Sequence, residues 1–328
     1  MSAAQAAPID AVIARVKGVY RGWGRATTVG QMRSDWDALF AVDAPRAAAQ
    51  TVSAGGVSAQ WIGAPGARDD AAILYFHGGG VQVGSVRSHR ELIECIAHAS
   101  GCRALGVDYR RAPEHRFPAQ IDDALAAYEW LLAQGIAPAR IALAGDSAGA
   151  GLALAAMLSL RDRGRPLPAA AVLMSAWTDL TASGESYASR SAADPIHQRA
   201  MILSLAKGVL GPDGDARNPL ASPLFADLHG LPPLLMQAGD RETVLDDSVR
   251  FAAKARAAGV AVELEVWPGM IHVFQQFPRE LAEAREAIRV IGAFLKARLA
   301  PSPQPSPPKT GAREPAPSPS PARGRGPG

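Results

Sequence analysis

The sequence predicts an α/β fold in which a mainly parallel sheet is covered by helices on both faces. Three observations predict it. Short apolar runs recur along the chain, each followed by Gly, Asp or Pro. Longer stretches with helical spacing of apolar residues lie between them. The 328 residues are 48% hydrophobic and 20% charged, the composition of a globular chain able to bury a core. Strands that alternate with helices form parallel sheets with both faces covered.

Residues 8–45 carry helical patterns before any strand. The runs 71–76 and 104–109 read as the first buried strands, with a helix over 90–100 between them. A helix over 120–134 leads to a strand at 141–144, and a helix over 149–163 leads to a strand at 170–175. Residues 183–215 then interrupt the alternation with a polar stretch containing Gly and Pro. Strands at 234–238 and 262–266 follow, with helices over 246–258 and 279–299. Ligands of open α/β sheets bind beyond the carboxyl ends of the strands, so the two regions that break the pattern are expected to form a cap over that edge. The chain then divides into N-terminal cap helices (1–45), a sheet-bearing domain (46–300) with a cap insertion at about 183–215, and a tail (301–328). The tail has ten prolines and no large apolar side chain, and is expected to be disordered.

Charge and composition exclude several classes. Past residue 300 the charges are Lys309, Arg313, Arg323 and Arg325 against Glu314, a net +3; the whole chain is also +3, so residues 1–300 sum to zero. The basicity belongs to the tail, and no nucleic-acid-binding face is expected. No apolar run approaches the roughly 18–20 residues of a membrane span. Met1 to Pro8 lack a basic segment leading into an apolar one, so no secretory signal is expected. Cys95 and Cys102 are too few for a disulfide framework and read as buried thiols in a reducing cytoplasm. The seven histidines and two cysteines show no zinc-ligand spacing, so neither a metal nor an organic cofactor is expected.

Two motifs carry chemistry. Gly145-Asp146-Ser147-Ala148-Gly149 joins a strand to a helix. A serine on such a turn is held in strained backbone, with glycines where a Cβ would clash, and its hydroxyl projects above the sheet. The competing reading is a serine N-cap between packing glycines. His77-Gly78-Gly79-Gly80 follows the strand ending at Phe76. Bare N–H groups in such a loop can converge on a developing oxyanion, and the expected donors are Gly78 and Gly79 with Ala148. A phosphate-binding turn is the alternative, weakened because neither Gly-Lys-Ser/Thr nor G-x-G-x-x-G follows. His77 suits a structural hydrogen bond better than the role of base.

A nucleophilic serine needs a base, and the base an orienting carboxylate. Where the chain order is nucleophile, acid, histidine, only His197, His229 and His272 follow Ser147, and only His272 also follows the strand at 234–238. The acid should lie in Gly239-Asp240-Arg241-Glu242-Thr243-Val244-Leu245-Asp246-Asp247. Asp246 and Asp247 open a helix and suit its N-terminal dipole. Asp240 and Glu242 remain.

Together these residues resemble the hormone-sensitive-lipase-like esterases, a bacterial family of α/β hydrolases marked by H-G-G-G and G-D-S-A-G. Asp108-Tyr109-Arg110-Arg111-Ala112-Pro113-Glu114, Trp177-Thr178-Asp179-Leu180 and Ser222-Pro223-Leu224 extend the likeness, which runs from about residue 10 to 299. Arg111, Ala150 and Ala176 depart from it mildly, in place of Leu, Gly and Pro. The resemblance implies a helical cap, a Ser147–Glu242–His272 triad with Asp240 as the alternative acid, and hydrolysis of short-chain esters or small lactones through an acyl-enzyme. Trp23, Trp36, Met201 and Leu205 are expected to line a small apolar pocket. Amide or carbamate hydrolysis by the same residues, and ligand binding without catalysis, are the alternatives; a monomer and a homodimer both stay open.

Overall fold

The computed structural model describes residues 7–41, 49–63 and 66–300. The tail and the ends of the first cap segment therefore lie outside the described residues. Helices α1 (Pro8–Gly22) and α2 (Val29–Leu39) come first, followed by strands β1 (Ala49–Ala54), β2 (Val57–Ile62) and β3 (Arg68–Phe76). Then come α3 (Arg90–Ser100), β4 (Cys102–Val107), α4 (Ala119–Ala133), β5 (Ile141–Asp146), α5 (Ala148–Asp162) and β6 (Ala170–Met174). The chain continues through α6 (Ser186–Ser189), α7 (Arg199–Leu210), β7 (Leu234–Gly239), α8 (Leu245–Ala257), β8 (Val262–Trp267) and α9 (Ala282–Arg298).

Eight strands form one sheet in the order β1-β2-β4-β3-β5-β6-β7-β8. Strands β3 to β8 pair with one another in parallel, and β2 is antiparallel to both β1 and β4. The period-2 alternation of strand side chains divides the core in two. Ala72, Leu74 and Phe76 of β3 face one side, with Tyr128 of α4, Leu154 of α5 and Phe251 of α8. Ile73 and Tyr75 face the other, with Ile93 of α3 and Ile291 of α9.

The sequence reading places no strand before residue 71, yet β1 and β2 form the antiparallel edge. β1 is almost wholly exposed and β2 buries only Val57, Ala59 and Ile62, so neither presents an apolar run. Residues 183–215, read only as an interruption, contain α6 and the twelve-residue α7.

Both misfit regions lie over the carboxyl edge. Val12 and Val16 of α1 pack on Met270, Ile271, Phe274 and Phe277, just beyond β8. Ile202 and Ala206 of α7 pack on Ala148, Trp177 and Val244. Helix α2 is pinned by polar bonds to the loops after β3 and β4. Arg33 donates to the carbonyls of Gln82 (2.8 Å) and Ala112 (3.0 Å) and makes a two-pronged pair with Glu114 (2.8 and 2.7 Å). Asp37 accepts from the Ser85 hydroxyl at 2.6 Å. Among the described residues no helix is long and apolar enough to cross a membrane.

Candidate active site

Strand β5 ends at Asp146 and α5 begins at Ala148, leaving Ser147 between them at φ 52° and ψ −119°. Such backbone costs a non-glycine residue about 1–3 kcal/mol and persists only where the surroundings enforce it. Here they do. The Ser147 N–H donates to Met174 O (2.8 Å), and its carbonyl accepts from Gly151 (3.2 Å) and Trp177 (3.1 Å). The flanking glycines allow close approach: a Cβ on Gly149 would lie 2.0 Å from Phe76 O, and one on Gly145 would lie 2.6 Å from the Gly149 backbone.

The loop after β3 bends through Gly79 at φ 106° and Gly80 at φ 61°, conformations that favour glycine. Both residues line the cavity that holds Ser147. Gly78, expected from the sequence as an oxyanion donor, points elsewhere. Its N–H donates to Asp146 Oδ1 at 3.1 Å and lies 3.3 Å from His89 Nε2. An amide bound to a buried carboxylate is not available to a substrate oxygen, whereas Gly80, like Gly79, lines the cavity wall. Ala148 is the first residue of α5, where an N–H has no intrahelical acceptor.

Asp146 holds this corner together. Its carboxylate also accepts from Tyr75 Oη (2.7 Å) and His89 Nε2 (3.2 Å). Burial raises its pKa, but the charge and hydrogen bond of His89 and the bond from Tyr75 outweigh this and hold it below the ordinary value. His77 is buried, stacked on Tyr109 at 4.3 Å, with Nδ1 2.8 Å from Gly78 O. Burial, with His89 nearby, pulls its pKa down to about 3, so it is a neutral structural group.

The turn after β7 places the two carboxylates differently. Glu242 is fully buried, and its Oε2 lies 2.7 Å from His272 Nδ1. Its Oε1 accepts from the Ser175 hydroxyl (2.7 Å) and the Gly239 N–H. Asp240 instead accepts from the Gly269 N–H at 2.7 Å, near the surface, so the alternative acid is not the one beside His272. Ser175, which sequence reasoning missed, also accepts from the Val273 N–H at 3.0 Å, tying Glu242 to the segment that carries His272. Its one visible signal is its position at the carboxyl end of β6. Asp246 and Asp247 occupy the first turn of α8 as expected, but their carboxylates also anchor the loop after β6, through Ser186 and through Thr178 and Asp179.

Burial lowers the His272 pKa, yet the charge and hydrogen bond of Glu242, with Asp194 and Asp146 beyond, leave it above the ordinary histidine value. Nδ1 of His272 is directed at Glu242, and His272 and Ser147 line one cavity of about 210 Å³. Trp23, Trp36, Met201 and Leu205, singled out in the sequence, line it as well. Tyr20 meets Trp23 at 4.9 Å and Trp36 at 5.8 Å, giving the cavity an aromatic roof. Among the described residues no group of three or more His, Cys, Asp or Glu is arranged to hold a metal ion.

A sequence profile of the α/β hydrolase fold matches residues 73–276. An acetyl-hydrolase of Streptomyces hygroscopicus is 46% identical over 245 residues, covering 75% of this chain and 81% of the relative. An esterase of Acinetobacter venetianus is 40% identical over 222 residues, covering 68% and 73% respectively. An esterase of solved structure from the bacterial hormone-sensitive lipase family superposes with a TM-score of 0.85 at 46% identity, over 90% of this chain and 100% of that one. The strained serine, the glycine loop and the sheet order thus sit in a chain that belongs to the α/β-hydrolase family, within its bacterial hormone-sensitive-lipase-like esterases.

Proposed function

We propose that the chain hydrolyses short-chain carboxylic esters, small lactones included, through an acyl-enzyme on Ser147, with His272 as base and Glu242 as the orienting acid. One observation carries the reading: a serine in enforced positive-φ backbone shares a cavity with a histidine whose far nitrogen lies 2.7 Å from a fully buried carboxylate. In this mechanism Ser147 Oγ bonds to the acyl carbon while its proton passes to His272 Nε2. The carbonyl oxygen becomes an oxyanion held by the N–H groups of Gly79, Gly80 and Ala148. The intermediate collapses, the ester C–O bond breaks, and the alcohol leaves with the proton from His272. Water then attacks the acyl-serine with His272 again as base, releasing the carboxylic acid and restoring the serine. Glu242 keeps its charge throughout and stabilises the imidazolium.

The cavity supports small substrates. Its volume of about 210 Å³ is below the roughly 300–1,000 Å³ of pockets that hold drug-sized ligands. The helices α1, α2 and α7 act as its cap. On p-nitrophenyl esters, kcat/KM is expected to be highest for acetate to butyrate and to fall steeply by decanoate. Phenylmethylsulfonyl fluoride is expected to add one sulfonyl group, at Ser147, by peptide mass spectrometry. A preference for decanoate would reject the small-substrate reading, and labelling at another serine would reject the nucleophile.

The raised His272 pKa sets the pH dependence. Hydrolysis needs the neutral imidazole, so kcat/KM should rise with pH through a midpoint above the ordinary histidine value of 6.5. Glu242→Gln removes the charge that holds that pKa up, so the acid limb should move to lower pH while the plateau drops. An unmoved limb would show that Glu242 does not act on the titrating group.

A further inference from the structure

Besides the groups given a part in hydrolysis, the mainly apolar cavity is lined by His197, Trp36 and Gln276, whose nitrogens the hydrolytic steps leave unused. His197, between α6 and α7, is 9% exposed and lines the cavity. Its ring meets that of His272 at 4.4 Å and 71°. A buried scaffold fixes its backbone. One oxygen of Asp194 accepts from the N–H groups of Ile196 and His197 (2.9 Å each), and the other accepts from Thr243, next to Glu242 (2.8 Å). Burial and the neighbouring His272 hold its pKa down to about 3, against the pull of Asp194, so the ring is neutral at working pH.

A neutral imidazole carries one N–H. Nδ1 of His197 is buried with no hydrogen-bond partner among the described residues. A proton there would lack an acceptor, which favours the tautomer with the proton on Nε2. The indole nitrogen of Trp36 and the carboxamide nitrogen of Gln276 are likewise buried and unpartnered, and both residues line the same cavity. The Tyr20 ring stands between Trp36 (5.8 Å) and His197 (6.2 Å). His197 Nε2 is not among these enclosed nitrogens, and a donor there suits a ligand that brings an acceptor oxygen.

The proposed hydrolysis says which half of the ester meets His197. The leaving oxygen takes its proton from His272, so groups packed on the His272 ring border the alcohol moiety. We infer that His197 is a specificity-determining residue that donates a hydrogen bond to an ether, hydroxyl or carbonyl oxygen in the alcohol half, selecting short esters of oxygenated alcohols over their hydrocarbon isosteres. This rests on the ester-hydrolase reading above.

The test compares 2-methoxyethyl acetate with butyl acetate, which differ by an oxygen in place of one CH₂. Proton release gives kcat/KM for wild type, His197→Leu and His197→Gln. The readout is the ratio between the two acetates within each protein, so a general loss of activity cancels. His197→Leu should lower the ratio about tenfold, the value of one neutral hydrogen bond. Gln places a terminal nitrogen near the Nε2 position and should restore part of it. The acid limb of the pH profile should stay at its wild-type position. An unchanged ratio in His197→Leu would overturn the inference. So would equal losses on both acetates with a displaced acid limb, which would mean that His197 acts on His272 and not on the substrate. Wild type inactive on both acetates and on phenyl acetate would remove the ester-hydrolase reading itself, and this inference with it.

Discussion

Ser147→Ala is expected to reduce kcat on p-nitrophenyl butyrate about a millionfold, the scale seen when a hydrolase loses its nucleophile. The cause is specific. Without Oγ no acyl-enzyme forms, while the backbone bonds from Ser147 to Met174, Gly151 and Trp177 are untouched. Alanine carries the same Cβ as serine and meets the same backbone demand at φ 52°. The melting temperature should therefore hardly move, which separates loss of chemistry from loss of fold. Residual turnover within a hundredfold of wild type would place the nucleophile elsewhere.

Glu242→Ala is expected to cost about 10⁴-fold in kcat, in line with removing the orienting acid of a triad. It should also destabilise the fold. The Gly239 N–H and the Ser175 hydroxyl both donate to Glu242 and would be left without that acceptor in a buried site. Each orphaned donor costs about 1–3 kcal/mol, so a clear drop in melting temperature should accompany the lost rate. Asp240→Ala removes only an acceptor for the Gly269 N–H near the surface; kcat should stay within about threefold because Glu242, not Asp240, bonds His272, and stability should change by about 0.5 kcal/mol or less. Kinetics and thermal melts of the two variants side by side check the assignment. If Asp240→Ala were the more damaged enzyme, the acid would be misassigned.

The sheet's centre was readable because β3 to β7 are buried on both faces and appear as unbroken apolar runs between glycines and aspartates. Ser147 and His272 stand out as candidates because the strand-to-helix turn and the order along the chain constrain them, and both line one cavity. Other features depend on directions that the residue string does not encode. β1 and β2 are half-exposed, and their polar residues alternate with small ones. Which glycine amide faces the cavity depends on the bend at Gly79 and on the carboxylate of Asp146, 68 residues away from Gly78. Asp240 and Glu242 lie two residues apart on a turn, and only the turn's geometry directs one toward His272 and the other toward Gly269. His197 shows in the sequence as one histidine among seven; its significance comes from the ring it touches and the nitrogen it leaves unpaired.

The ties between α2 and the loop after β3 bear on how substrate reaches the serine. Arg33 and Asp37 fasten the helix that carries Trp36 to Gln82, Ser85 and Ala112, and Gln82 follows closely on the glycines proposed to hold the oxyanion. Swinging α2 outward as a hinged flap would break those bonds and disturb that loop at the same time. Ester that reaches the serine without breaking those bonds passes with α2 in place. Helix α2 is then no latch for an oil–water surface to release. The rate of hydrolysis should follow the concentration of dissolved ester and level off at the solubility limit, with no jump when droplets form.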